Sequence, residues 1–128
     1  MDKKNNGFRL EEATIASVHA AMENGELTCR QLIEMYIERI EAYDQKGPKL
    51  NSVIMINPKA LEEADILDKR FQKFGFSGPL HGIPVLLKDN VDTGDMPTTA
   101  GSLSLEGMIP EDDAFITRKL KDAGAIIL

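Results

Sequence analysis

The sequence predicts an α/β fold, with amphipathic helices layered on a sheet. Two observations carry this. Three short apolar runs, Val53-Ile54-Met55-Ile56, Val85-Leu86-Leu87 and Ala125-Ile126-Ile127-Leu128, sit beside turn residues and read as buried strands. Longer stretches with apolar residues at helical spacing alternate with them. The order along the chain is helix, helix, strand, helix, strand, then a last helix and strand, as at the start of a layered α/β domain.

Residues 1–8 read as a loose terminus. The first helix is expected over about Glu11 to Glu23, with Ile15, Val18, Ala21 and Met22 on one face and Glu11 and Glu12 in the first turn, where the helix dipole favours acids. Asn24-Gly25 ends it. His19 lies on or beside the apolar face and is expected at the core boundary. Thr28-Cys29-Arg30-Gln31 is a capping box that opens the second helix. Leu32, Ile33, Tyr36, Ile37, Ile40 and Tyr43 form its stripe, and Gly47-Pro48 closes it. Cys29, in its first turn, is expected to be an ordinary small core residue.

Asn51–Ile56 reads as the first strand. Asn57-Pro58 fits an N-cap followed by proline at the first helical position. The third helix follows to about Phe74, with Leu61, Ala64, Leu67, Phe71 and Phe74 inward. Glu111-Asp112-Asp113 is expected to start the last helix, with Ile116, Leu120 and Ala123 inside and Gly124 as the C-cap.

The chain is organised around Gly78-Pro79-Leu80-His81-Gly82-Ile83-Pro84-Val85-Leu86-Leu87-Lys88-Asp89-Asn90. Gly78-Pro79 and Gly82 punctuate the entry to an apolar strand. Lys88, Asp89 and Asn90 follow at its C-terminal end, where open α/β sheets gather functional groups. A lysine held dry at such a place loses charge more readily and can serve as a base. The alternative is a solvated lysine. Asp89, Asp92 and Asp95 lie in the next loop, yet they lack the further ligands of a calcium loop, so no metal is expected. Thr98-Thr99-Ala100-Gly101-Ser102 is a hydroxyl-rich turn.

The segment from Gly78 to Thr93, followed by Pro97-Thr98-Thr99-Ala100-Gly101-Ser102, resembles the amidase signature family, and its wording is closest to the peptide-amidase-like branch. The similarity runs to Leu128. The resemblance implies the N-terminal part of an α/β/α fold, with helices packed on a mixed sheet. It implies a Ser–cis-Ser–Lys triad in which Lys88 is the lysine. Asp89, Asn90, Thr99, Gly101 and Ser102 take supporting roles, and Ser102 is not the nucleophile. The family's two catalytic serines lie in later glycine-rich segments that this sequence does not contain. The 128 residues therefore read as one incomplete amidase domain, about a quarter to a third of the whole, and inactive alone.

In the complete enzyme the implied substrate is a small amide or peptide amide, with no cofactor. Two alternatives stand beside this. One is a split amidase whose other chain brings the serines. The other is a non-catalytic module that self-associates, or takes a complementary chain, through exposed strand edges. An amidotransferase A-type subunit ranks below these, because that branch usually carries a small residue where this chain has His81. Association, swapping or disorder is expected first in the loop from Asp92 to Pro110.

The net charge of -6 argues against nucleic acid as partner. Hydrophobic residues make up 42% of the chain, enough for a packed core. No run reaches the ~18 apolar residues of a membrane span. A single cysteine and the lack of a signal-peptide pattern point to the cytoplasm.

Overall fold

The computed structural model describes residues 7–128. Four α-helices and two short strands follow in order: α1 (Ile15–Glu23), α2 (Cys29–Arg39), α3 (Ala60–Phe74), β1 (Pro84–Val85), α4 (Phe115–Asp122) and β2 (Ile126–Ile127). A π-helical turn, Ile40–Gln45, extends α2, and a 3-10 turn spans Leu103–Leu105. The strands pair in parallel, Pro84 opposite Ile126 and Val85 opposite Ile127, with α4 in the crossover. Against the expectation of a loose terminus over residues 1–8, Phe8 is buried in the core; residues 1–6 lie outside the described residues.

Helix α1 starts at Ile15, four residues later than expected. Thr14 is the reason: its hydroxyl accepts from the Ser17 amide at 3.0 Å, and the Ser17 hydroxyl accepts from the Thr14 amide at 2.9 Å. Glu12 precedes the helix at φ 56, so neither Glu11 nor Glu12 lies in the first turn. Val18, Ala21 and Met22 face inward and Ile15 is half-exposed.

The Thr28–Gln31 capping box is present as expected. A second cap comes from α3. The Asp68 carboxylate accepts from the amides of Cys29 at 2.7 Å and Arg30 at 3.1 Å. These amides have no intrahelical partner of their own, and the positive end of the helix dipole favours the carboxylate. Arg30 in turn meets Asp65 at 2.6 Å and Glu34 at 3.1 Å. Leu32 and Ile33 are fully buried between α2 and its neighbours; such burial contributes roughly 1.5–3 kcal/mol per side chain. Tyr43, at the end of the stripe, instead turns outward under the Arg39 guanidinium, 4.8 Å from its ring centre.

The expected strand Asn51–Ile56 does not form. Lys49 and Asn51 take positive φ (53 and 52), and the Asp44 carboxylate captures the amides of Ser52 at 2.7 Å and Val53 at 3.1 Å. A carboxylate that takes these donors removes them from any ladder. The Ser52 hydroxyl also donates to Asp44, and this bond, with the amide bonds, holds the carboxyl below the ordinary range. Helix α3 begins at Ala60, with Lys59 as its N-cap and no side-chain cap; the expected Asn57 cap instead closes the turn over Pro58 by accepting from the Lys59 amide at 2.9 Å. Phe74, the last residue of α3, is exposed over Arg70, whereas Phe71 and Phe76 pack against the core.

Helix α4 begins at Phe115 rather than at the acidic triplet. Asp113 is engaged elsewhere: it accepts from the Gly94 amide at 2.8 Å and pairs with Lys121 at 2.9 Å. Thr117, not Ile116, faces inward, and its hydroxyl donates to the Asp92 carbonyl at 2.9 Å. That bond sets the helix phase and leaves Ile116 exposed. Gly124 lies one residue past the cap Ala123, at φ 95.

Candidate active site

The glycines of the Gly78–Asn90 motif serve close packing. A Cβ on Gly78 would stand 2.5 Å from the Ala123 carbonyl oxygen, and one on Gly82 2.3 Å from the Cys29 sulfur. From the other side, a Cβ on Gly124 would stand 2.9 Å from the His81 Cα. The two turns therefore lie backbone against backbone. The Leu80 amide donates to the Ala123 carbonyl, and the Gly82 amide to the Gly124 carbonyl, both at 2.9 Å. These contacts aim β1 alongside β2 and bring Lys88 beyond the strand's C-terminal end.

His81 is fully buried among Phe71, Phe76 and the turn. The Ser77 amide donates to its Nδ1 at 3.1 Å, which places the ring proton of the neutral form on Nε2; that atom has no partner. Burial, aided by His19, pushes His81 below its ordinary value. His19 is the boundary residue expected of it: Nε2 lies 3.0 Å from the His81 carbonyl and its ring stacks on Phe76. Cys29 is buried against Gly82. Burial raises its thiol far above the ordinary value, with Asp68 adding to the effect, so it is an inert packing residue.

Beyond β1 the structure opens a cavity of about 510 Å³. Lys88, Asp89, Asn90, Thr99 and Gly101 all line it; Ser102 does not. Asp89 organises one side. Its carboxylate accepts from the Thr99 amide at 3.0 Å and from the Thr99 hydroxyl, and its carbonyl accepts from the Ala100 amide at 2.7 Å. The Thr99 hydroxyl, then the amides, hold the Asp89 carboxyl below the ordinary range. The Ser102 amide donates to the Thr99 carbonyl at 2.9 Å, and its hydroxyl faces Ser104 at 2.7 Å, so it braces the turn from behind.

Lys88 is exposed, and so is Leu86, instead of the dry surroundings the apolar run suggests. The strand pairing ends at Val85, so β1 covers only the start of that run. Asn90 is also exposed. The opposite wall, Ser52 to Met55, was not foreseen as part of the site, because its apolar pattern read as a strand interior. Among the described residues no cluster of three or more His, Cys, Asp or Glu side chains could hold a metal. Asp89 is taken by Thr99, and Asp95 meets Lys121 at 3.3 Å.

This arrangement is an α/β layer with a lysine at a strand's C-terminal end, braced by an aspartate-anchored hydroxyl loop. The family model described as Amidase matches residues 31–128, and the chain belongs to the amidase family. The native peptide amidase from Stenotrophomonas maltophilia superposes with a TM-score of 0.88 at 47% identity, over 92% of this chain and 24% of that one. A Schizosaccharomyces pombe protein that carries an amidase name is 42% identical over 92% of this chain and 20% of its own length. A glutamyl-tRNA(Gln) amidotransferase polypeptide of Streptomyces coelicolor is 40% identical over 90% of this chain and 23% of its own. The chain thus spans about a quarter or less of these relatives. Among the described residues, no helix is long and apolar enough to cross a membrane.

Proposed function

We propose that this chain is the lysine-bearing portion of an amide hydrolase. The observation that carries the reading is the position of Lys88: just past β1, lining the same cavity as Asp89 and Thr99. In this reading Lys88 is the neutral base of a Ser–cis-Ser–Lys triad. It takes a proton from the bridging serine, which takes one from the nucleophilic serine. That serine attacks the amide carbonyl, ammonia or an amine leaves, and water releases the acid. Both serines and the oxyanion donors come from polypeptide beyond these residues, whether joined to Leu128 or as a complementary chain.

The exposure of Lys88 fits this division. A solvated ammonium is a poor base, and a second body of protein covering the cavity would desolvate it. Asp89 and Thr99 keep the covering surface in shape, and Asn90, Gly101 and Ser102 support it. The natural substrate class is a peptide amide or other small amide. Amide transfer is the second reading, favoured by the 40% identity to a glutamyl-tRNA(Gln) amidotransferase polypeptide.

The test is ammonia release from acetyl-phenylalanine amide. The 128-residue chain alone should release none. Mixed with a polypeptide comprising the serine-bearing remainder of a peptide amidase, it should release ammonia, and Lys88→Ala should abolish that. Release by the chain alone, or by the mixture carrying Lys88→Ala, would overturn the assignment.

A further inference from the structure

Lys88 lies on a stretch of chain suspended between two fixed points. Before it, β1 is paired with β2, and the Leu128 amide donates to the Val85 carbonyl at 2.9 Å. After it, Asp92 is held on α4. The Asp92 carbonyl accepts from the Ala114 amide at 3.0 Å and from the Thr117 hydroxyl at 2.9 Å. Residues 86–91 span the interval and form neither helix nor strand. Within it, the Val91 amide closes a turn on the Lys88 carbonyl at 2.9 Å. Among the described residues, no hydrogen bond or ion pair reaches the Lys88 side chain. The place of its amine is therefore set by the course of its backbone.

The second point is fastened by one carboxylate. Asp113 stands two residues ahead of α4. One oxygen accepts from the Gly94 amide at 2.8 Å, and the other meets the Lys121 ammonium at 2.9 Å. Lys121 also reaches Asp95 at 3.3 Å, so both ends of α4 grip the turn at Gly94 and Asp95. The fit is close: a Cβ on Gly94 would stand 3.4 Å from the Asp113 nitrogen. An amide bonded to a carboxylate is held more strongly than one bonded to a neutral acceptor. The Asp113 side chain is only 18% exposed, so water and salt screen this set less than an open surface pair.

We propose that Asp113, aimed by Lys121, is a positioning residue for the Lys88 base. It holds the turn at Gly94 on α4, and so fixes the far end of the span that carries Lys88. The proposal rests on the reading of Lys88 as the base. A base must come within hydrogen-bond reach of the proton it takes, and a lysine on a flexible stem does so reproducibly only from a fixed root. A small displacement of that root lowers the rate without altering any group that touches substrate.

The test has two arms, each run on the parent, Asp113→Ala and Lys121→Met. The first is amide hydrogen exchange in the 128-residue chain. Asp113→Ala should speed exchange at Val91 about tenfold and leave Leu128 unchanged. Lys121→Met keeps the acceptor for Gly94 and should act in the same direction by a smaller factor. The second arm is ammonia release by the mixture with the serine-bearing remainder of a peptide amidase. Asp113→Ala should lower kcat about tenfold or more with KM unchanged, and Lys121→Met should lower it less. Parent values in either variant would overturn the proposal. So would equal acceleration at Val91 and Leu128, which would mean that the whole fold has loosened. A rise in KM with kcat kept would also overturn it, since the clamp would then shape the substrate surface and not the base. Release that survives Lys88→Ala would overturn the Lys88 reading and this proposal together, whereas failure of the clamp alone leaves the Lys88→Ala loss in place.

Discussion

The Asp68 carboxylate on α3 accepts the Cys29 amide at the first turn of α2, at 2.7 Å. One side chain thus terminates one helix and fastens it to another, across a gap of 39 residues in sequence. The Thr28–Gln31 box caps the same turn locally, so the two devices divide the free donors between them.

Asp68→Ala should therefore destabilise the fold by about 1–2 kcal/mol, the scale of a lost cap, and more than Thr28→Ala, whose bonds lie on the exposed side. Asp68→Asn keeps an acceptor and should cost less than Asp68→Ala. Urea denaturation of the three variants gives the ranking, and equal midpoints for Asp68→Ala and the parent would refute the linkage.

Gly82 and Gly101 make a matched pair. Both have positive φ, 70 and 72, but a Cβ on Gly101 meets open space while one on Gly82 meets the Cys29 sulfur at 2.3 Å. Gly101→Ala should cost about 1–2 kcal/mol, from backbone alone. Gly82→Ala should cost that and the displacement of α2 as well. Thermal unfolding of both reads the difference; similar losses would mean that the turn yields freely against α2.

The buried His81 sets a pH dependence. Its folded value lies below the ordinary 6.5, so near pH 6 the unfolded chain binds a proton that the folded chain refuses. Stability should rise with pH through that window and fall as pH drops below about 6.5. His81→Phe should flatten the slope. Asp89 and Asp44 act in the same direction but lower, since their depressed carboxyls lose their stabilising bonds only as pH falls through those values, under the ordinary 3.8. Denaturant midpoints measured from pH 8 to pH 3 separate the two windows.

Cys29 should resist thiol reagents. It is fully buried and its thiol is held protonated. Labelling by a disulfide reagent should proceed only through opening of the fold and should accelerate in step with urea. Labelling at the rate of a free thiol in buffer would show that α2 opens locally.

The sequence was most legible where local rules sufficed. The Thr28–Gln31 box, the apolar face of α2 and the buried run Ala125–Leu128 each stand as their residues implied. It misled where a distant side chain intervened. Asn51–Ile56 has strand composition, but Asp44 takes its amides. Glu111–Asp113 has the look of a helix start, but Asp113 is bound to Gly94 and Lys121. The motif from Gly78 to Asn90 carried three of the expected site residues that line the cavity, Lys88, Asp89 and Asn90, whereas the wall at Ser52–Met55 had no chemical signature. The glycines of that motif read as turn punctuation, and only the packing of Gly78 and Gly82 against Ala123 and Cys29 shows what demands them.

The parallel pairing of Pro84 with Ile126 has a kinetic side. Helices α2 and α3 meet across residues 40–59, a shorter stretch than the one that separates the two strands, so their contact can form earlier. Strands β1 and β2 cannot register until the whole excursion through the Asp89 loop and α4 has closed, and closure of that loop carries an entropic cost that grows with its length. The sheet is then the last part of the chain to assemble, and Lys88, which hangs from its edge, has no fixed address until folding is complete.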